Sequence, residues 1–194
     1  MPSSYIVNIS GLDRLDEALA DLAWSIHKPA GRKPLMEAFG MVLERRTSRS
    51  FKQETAPEMV PDIGTAAAAA GRKWKPLAAG TKAARKEAGT AGKILDATHA
   101  LHQSIAAAIS SDATSVTVGT SSKIAPYHAG GTEPYVIKPT QKKALAFVGA
   151  SGEFVVVSKV DHPGLDPRPF LGVNDADVTT MLNQVKQHLS EAMG

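Results

Sequence analysis

Residues 142–173 read KKALAFVGASGEFVVVSKVDHPGLDPRPFLGV, and this stretch decides the fold class. Two apolar runs, Leu145 to Gly149 and Phe154 to Val160, are rich in β-formers, and Gly149-Ala150-Ser151-Gly152 lies between them. That pattern predicts a β-hairpin. His162-Pro163-Gly164 and Asp166-Pro167-Arg168-Pro169-Phe170-Leu171-Gly172 follow. Three prolines between residues 163 and 169 fix φ repeatedly and remove backbone donors, so this segment is a rigid loop rather than helix or inner strand. A Phe-Leu pair straight after such a loop is placed to plug a core or an intersubunit pocket. Beyond it, Asn174 with Asp177 approximates a capping box. Val178, Met181, Leu182, Val185 and Leu189 then recur at helical spacing, predicting a C-terminal helix.

Upstream, Tyr5 to Ile9 reads as a short strand. Leu15, Leu19, Leu22 and Ile26 predict an amphipathic helix over 13–27, with acids at its start. Lys28 to Lys33 reads as a turn, and Pro34 suits the first position of a second helix buried through Leu35, Phe39, Val42 and Leu43. Residues 50–80 are irregular, broken by Pro57, Pro61, Gly64 and Gly71 around an alanine run, and read as a long mobile loop with one short helical piece. Leu95, Thr98, Leu101, Ile105 and Ile109 predict a central helix. Ser115 to Gly119 alternates as a strand, residues 121–131 read as a bend or short helix, and Tyr135-Val136-Ile137 as another strand. The expectation is one α+β domain over residues 1–194. Its order is an N-terminal helical hairpin, a long loop at about 50–80, a central helix, an antiparallel sheet with a β-hairpin, and a C-terminal helix.

A chain of 194 residues is long enough to bury a core, but only 5% of it is aromatic, so oligomerisation is a plausible source of extra stability. The net charge of +3 is uneven. Residues 1–98 hold 15 Lys/Arg against 11 Asp/Glu, and the remainder 7 against 8. With no cysteine there is no disulfide framework and no Cys-based metal site. No signal peptide and no membrane span are expected, since no basic segment leads into an apolar one at the start and no apolar run approaches 18 residues.

The sequence offers little for catalysis. His99, His102 and His128 could supply three nitrogens to a metal in a hydrolase, but a polar helix face explains the first two better, because no carboxylate stands at ligand spacing. His162 reads as a loop-bonding histidine. No G-x-S-x-G elbow is present, and Gly119 to Lys123 lacks phosphate-loop spacing. The expectation is a protein that is not an enzyme and uses no cofactor. Two basic clusters stand out: Arg45, Arg46, Arg49 and Lys52, then Arg72, Lys73, Lys75, Lys82, Arg85 and Lys86. Such charge binds phosphates in a salt-dependent way, which keeps a nucleic-acid-binding accessory protein open as the alternative. No helix-turn-helix, zinc finger or stacking platform accompanies it.

Several landmarks fall in one order. They are Pro34-Leu35-Met36, Phe51 with Pro57, Trp74-Lys75-Pro76-Leu77 with Thr81, Leu101 with Ser104-Ile105, Val118-Gly119-Thr120, Tyr127-His128, and above all Pro167-Arg168-Pro169-Phe170-Leu171-Gly172. In this the chain resembles the phage virion morphogenesis family, the tail-completion and neck proteins of Mu-like and P2-like phages, related to siphophage tail-component proteins. The resemblance implies a non-enzymatic structural protein of a tailed phage or prophage. It would be assembled in the host cytoplasm and sit in the virion, at the tail or the head–tail interface. It implies a homo-oligomeric ring of about six subunits, closed by a head-to-tail interface. Its partners would be other tail, neck or connector proteins, with DNA passing through the ring and no membrane. The assembly candidates that go with it are Trp74, Pro76, Leu77, Tyr127, His128, His162, Pro163, Gly164, Pro167, Arg168, Pro169, Phe170 and Leu171. The hairpin over 143–160 would extend a sheet or ring wall across subunits.

Overall fold

The computed structural model describes residues 5–7, 29–60, 65–90, 92–149 and 153–193. The helix expected over 13–27 lies outside them. The described chain begins with β1 (Tyr5–Val7) and then α1, a 25-residue helix over Pro29–Gln53. Leu35, Met36, Phe39, Val42, Leu43, Thr47, Ser50 and Phe51 form one buried stripe on α1, following the helical period. The helix starts earlier than the sequence suggested. Both Pro29 and Pro34 suit a first helical position, and the chain takes the earlier one. Pro34 then forfeits one interior hydrogen bond, but tertiary contacts hold the extra turn. Arg32 donates to the Asp112 carbonyl at 3.0 Å and His188 to the Gly31 carbonyl at 2.9 Å.

The central helix is corrected. Only α3 (Ala100–Gln103) is helical there, after the nine-residue α2 (Ala79–Glu87). Ile105–Ile109 is strand β2, paired antiparallel with β3 (Val116–Thr120) through Ile105↔Thr120 and Ile109↔Val116. Leu95 and His99 both take positive φ (62° and 58°), which no continuous helix allows. β1 pairs on the other side of β3, giving the order β1-β3-β2. Helix α1 packs on this sheet at close range. A Cβ at Gly40 would sit 3.0 Å from the Ala107 Cβ, so glycine lets the two backbones approach. The free edge of β2 is partly blocked, since the Glu44 carboxylate accepts from the Ala107 amide at 2.8 Å.

After α4 (Ala125–Gly130) come β4 (Tyr135–Ile137), β5 (Leu145–Val148), β6 (Phe154–Val157) and β7 (Val160–His162). The hairpin is present, with β5 antiparallel to β6. The second apolar run does not stay in it. The run breaks at Ser158-Lys159, and β7 pairs instead with β4 through Tyr135↔His162 and Ile137↔Val160. The chain closes with α5 (Asp175–Met193), which packs against α1 through Met181 and Val185. Half of the expected capping box forms, and the Asn174 side chain is diverted to another segment. The Asp177 carboxylate accepts from the Asn174 amide at 2.9 Å, while the Asn174 side-chain oxygen accepts from the Glu58 amide at 2.8 Å. The architecture is α+β, with helices over small antiparallel sheets.

Candidate functional site

The described part of the 50–80 segment is stitched to itself and to the proline-rich loop. Trp74 donates its amide to the Glu54 carbonyl at 2.7 Å, Ala56 to Arg72 at 2.9 Å, and Gly71 to Pro57 at 2.8 Å. The alanine run forms one 3-10 turn, Ala66–Ala69, as the sequence suggested. Met59 and Val173 exchange amide hydrogen bonds at 2.9 and 3.0 Å. This contact dictates Gly172, whose φ is +149° and where a Cβ would lie 2.1 Å from the Met59 carbonyl oxygen.

Trp74 is buried, and its indole Nε1 donates to the Pro169 carbonyl at 3.0 Å. Its ring meets Phe51 edge-on, with centroids 5.7 Å apart. Phe51 also packs against Phe170 at 5.3 Å and stacks on His102 at 4.6 Å. An aromatic knot thus joins α1, the Trp-Lys-Pro-Leu segment and the Pro-Arg-Pro-Phe-Leu segment. Trp74, Pro169, Phe170 and Leu171 all turn inward to this protomer's core, so the Phe-Leu pair plugs a core. Phe51 is the hub. It belongs to the buried stripe of α1, lying four residues after Thr47 and eight after Leu43, a spacing that is visible in the sequence.

Arg168 fastens the same knot from outside. It is largely buried, and its Nε and Nη2 both donate to the Lys75 carbonyl, at 3.2 and 3.0 Å. Its amide donates to the His128 carbonyl at 2.8 Å, which brings the Tyr127-His128 helix to the loop. Burial pushes the Arg168 guanidinium below its usual range, with nearby Asp166 acting against that and Arg85 with it. Burial likewise pushes the His128 imidazole below its ordinary value, helped by the Arg168 and Arg85 charges, which favours the neutral ring. Pro76, Tyr127 and Pro163 remain exposed, while Leu77, Gly164 and Pro167 are half-buried. His162 does bond its loop. Its Nδ1 accepts from the Gly164 amide at 3.0 Å, and its ring stacks on Tyr135.

His99 and His102 do not share a regular helix face. They gather around Asp96, whose Oδ1 lies 2.9 Å from His99 Nδ1 and 3.7 Å from His102 Nδ1, and His102 Nε2 pairs with the Ser48 hydroxyl at 3.1 Å. Among the described residues no three His, Asp or Glu side chains are arranged to hold a metal.

The basic clusters need one correction. Arg46 is 5% exposed and faces Asp177, with its Nε 3.9 Å from the carboxylate, so it belongs to the α1–α5 packing and not to a surface patch. Arg45, Arg49, Lys52, Arg72, Lys73, Lys82 and Lys86 are exposed. Lys75 is exposed and paired with Asp166 at 2.9 Å. Arg85 is half-buried and donates to the Lys93 carbonyl at 3.1 Å. Lys73 and Lys82 flank an open cleft of about 420 Å³ that Trp74, Pro76 and Leu77 also line. None of the described helices is long and apolar enough to cross a membrane.

These landmarks compose one scaffold, and the family comparison covers all of it: the model of the phage virion morphogenesis family matches residues 11–190. The chain belongs to the phage virion morphogenesis family. Neither a curated protein nor a solved structure matches the chain. Membership makes it a phage structural protein concerned with building the virion. Of the sequence landmarks for the family, Phe51, Trp74, Leu101, Val118, Phe170 and Leu171 all lie in one buried hydrophobic cluster.

Proposed function

We propose that this chain is a structural subunit of a tailed phage or prophage, and that it completes the tail or neck so that a filled head can be joined to it. It acts as one domain, without catalysis or cofactor, and it forms a homo-oligomeric ring of about six copies closed head to tail. It is assembled in the host cytoplasm and remains in the virion at the head–tail interface. Its other partners are tail, neck or connector proteins. The family match over residues 11–190, almost the whole chain, is the observation that carries this reading.

The exposed lysines and arginines support one detail. Lys52, Lys73, Lys82 and Lys86 give the protein a basic surface that suits DNA passing through a ring. The same surface favours the second reading, a basic accessory protein that binds nucleic acid outright. Deleting the reading frame from the phage separates the two. The first predicts filled heads and tails that accumulate unjoined and that join when purified protein is added. Normal joining without the protein, together with salt-sensitive affinity for unrelated DNA sequences, would shift the assignment to the second.

A further inference from the structure

The fold has two isolated strand pairs, β4–β7 and β5–β6. The first carries Asp161 and is flanked by Pro134 and Pro139, whereas the β5–β6 hairpin has no such guard within its strands and carries Phe154, the most exposed of the large hydrophobic residues described. A two-stranded hairpin standing alone is marginal in water, and stable ones cover a face or add a third strand. Here neither strand has another strand partner among the described residues. Phe154 is 73% exposed, Val156 58% and Phe147 41%. From Ala144 to Gly149 and from Phe154 to Ser158 there is no charged residue and no proline, the usual guards of an open edge. The contrast with β2, where the Glu44 carboxylate occupies the edge amide of Ala107, is internal to the fold.

The hydrogen-bond phase says which backbone groups are on offer. Gly149 donates to the Glu153 carbonyl at 2.8 Å, so the pairs inward of it alternate from there. Phe147↔Val155 and Leu145↔Val157 bond each other, whereas Val148↔Phe154 and Ala146↔Val156 turn their amides and carbonyls outward. The outward groups of β5 thus belong to Ala146 and Val148, and those of β6 to Phe154 and Val156. Among the described residues nothing else bonds these outward groups, so each copy offers two open edges of different sequence and opposite strand direction.

We propose that this hairpin docks a second copy of the chain, with the β6 edge of one subunit pairing antiparallel to the β5 edge of the next. The inference rests on the ring reading above and gives that ring its joint. A two-fold pairing of like edges would satisfy one edge per copy and leave the other bare. Head-to-tail pairing satisfies both, and when the ring closes no edge remains. Each subunit then contributes two strands to a continuous sheet, and Phe154 and Val156 form an apolar stripe across each joint.

The chain has no cysteine, which makes the test direct. Two single variants, Ala146→Cys and Val156→Cys, are purified separately, then mixed and oxidised under conditions where light scattering shows the wild-type protein to be oligomeric. The expected result is a disulfide-linked dimer in the mixture and none in either variant alone. Dimers in one variant alone mean like edges meet, which overturns the head-to-tail joint. A third variant, Val156→Pro, removes an outward amide while sparing the inner ladder. It should reduce the oligomer to monomer, whereas Val156→Thr, which keeps the amide, should still assemble. Rings seen by negative stain without any cross-link in the mixture, and unaffected by the proline, overturn this joint but leave the ring reading standing. A wild-type chain that is monomeric at every accessible concentration, yet restores head–tail joining, overturns self-pairing and leaves the virion role intact.

Discussion

Replacing Phe170 with alanine asks whether the proline-rich loop works as a core plug. Phe170 is fully buried and touches Phe51, itself packed on Trp74 and His102. Truncating such a ring removes its transfer free energy and leaves a cavity walled by groups that cannot all collapse inward, a loss of about 3–5 kcal/mol. For a chain of this length each kcal/mol lowers the midpoint of thermal unfolding by roughly 2–4 °C, so the expected fall is roughly 6–20 °C. Phe170→Leu keeps most of the volume and should lose under about 1.5 kcal/mol. Thermal melts followed by far-ultraviolet circular dichroism measure both, with urea midpoints as the independent check. In the proposed role, head–tail joining by Phe170→Ala should recover at low temperature, where the variant is folded. A variant that melts within about 1 kcal/mol of wild type but fails to join tails would refute the argument, because Phe170 would then be contributing at an intersubunit surface.

Three further outcomes follow from the same geometry. Trp74→Phe keeps an aromatic ring of smaller size and leaves the Pro169 carbonyl without its indole donor. It should cost about 1–3 kcal/mol and speed tryptic cleavage after Arg72 or Lys73; an unchanged cleavage rate removes Trp74 as the latch. Gly172→Ala places a Cβ 2.1 Å from the Met59 carbonyl oxygen, so its urea midpoint should fall by the equivalent of about 3 kcal/mol or more, and a wild-type midpoint contradicts the close approach. Asp112, fully exposed, accepts from Ser110 and Thr114, which lowers its carboxyl from 3.8 to about 2. Its folded value lies below its unfolded one, so its contribution is in place above about pH 4 and is lost as the pH falls through about 2. Carboxyl resonances should show that midpoint, Ser110→Ala should raise it, and a wild-type midpoint at 3.8 would be inconsistent with the turn.

Local signals in the sequence were readable where neighbours along the chain determine the outcome. The Asn174–Asp177 cap is of this kind, as are the Met181–Val185 stripe and the β5–β6 hairpin, because each partner is within a few turns or one reversal of the other. The central helix misled for a geometric reason. Residues four apart share a face in a helix and in a strand alike, so Ile105 and Ile109 satisfied both periods. Alanines between them favour helix, and pairing with Val116–Thr120 overrode that preference. Arg46 was misplaced although the signal was present, since it falls four residues after Val42 and three after Leu43, on the buried stripe. The bonds from Trp74 to Pro169 and from Arg168 to Lys75 were beyond reach, because no local pattern says which distant carbonyl will meet a given donor.

Those long reaches have a consequence for how the protein comes to exist. The segment following α1 is held by Pro169, 95 positions beyond Trp74, and by Asn174, 116 positions beyond Glu58. While the ribosome is still making the first three-quarters of the chain, Trp74 and Phe51 have no Phe170 to close over them. The closing contacts are non-local, so folding waits on nearly complete synthesis and proceeds late and slowly. A product cut short before Phe170 therefore cannot build this core. Translation itself screens the supply, so that prematurely terminated chains are excluded before any of them can take a place in a growing particle.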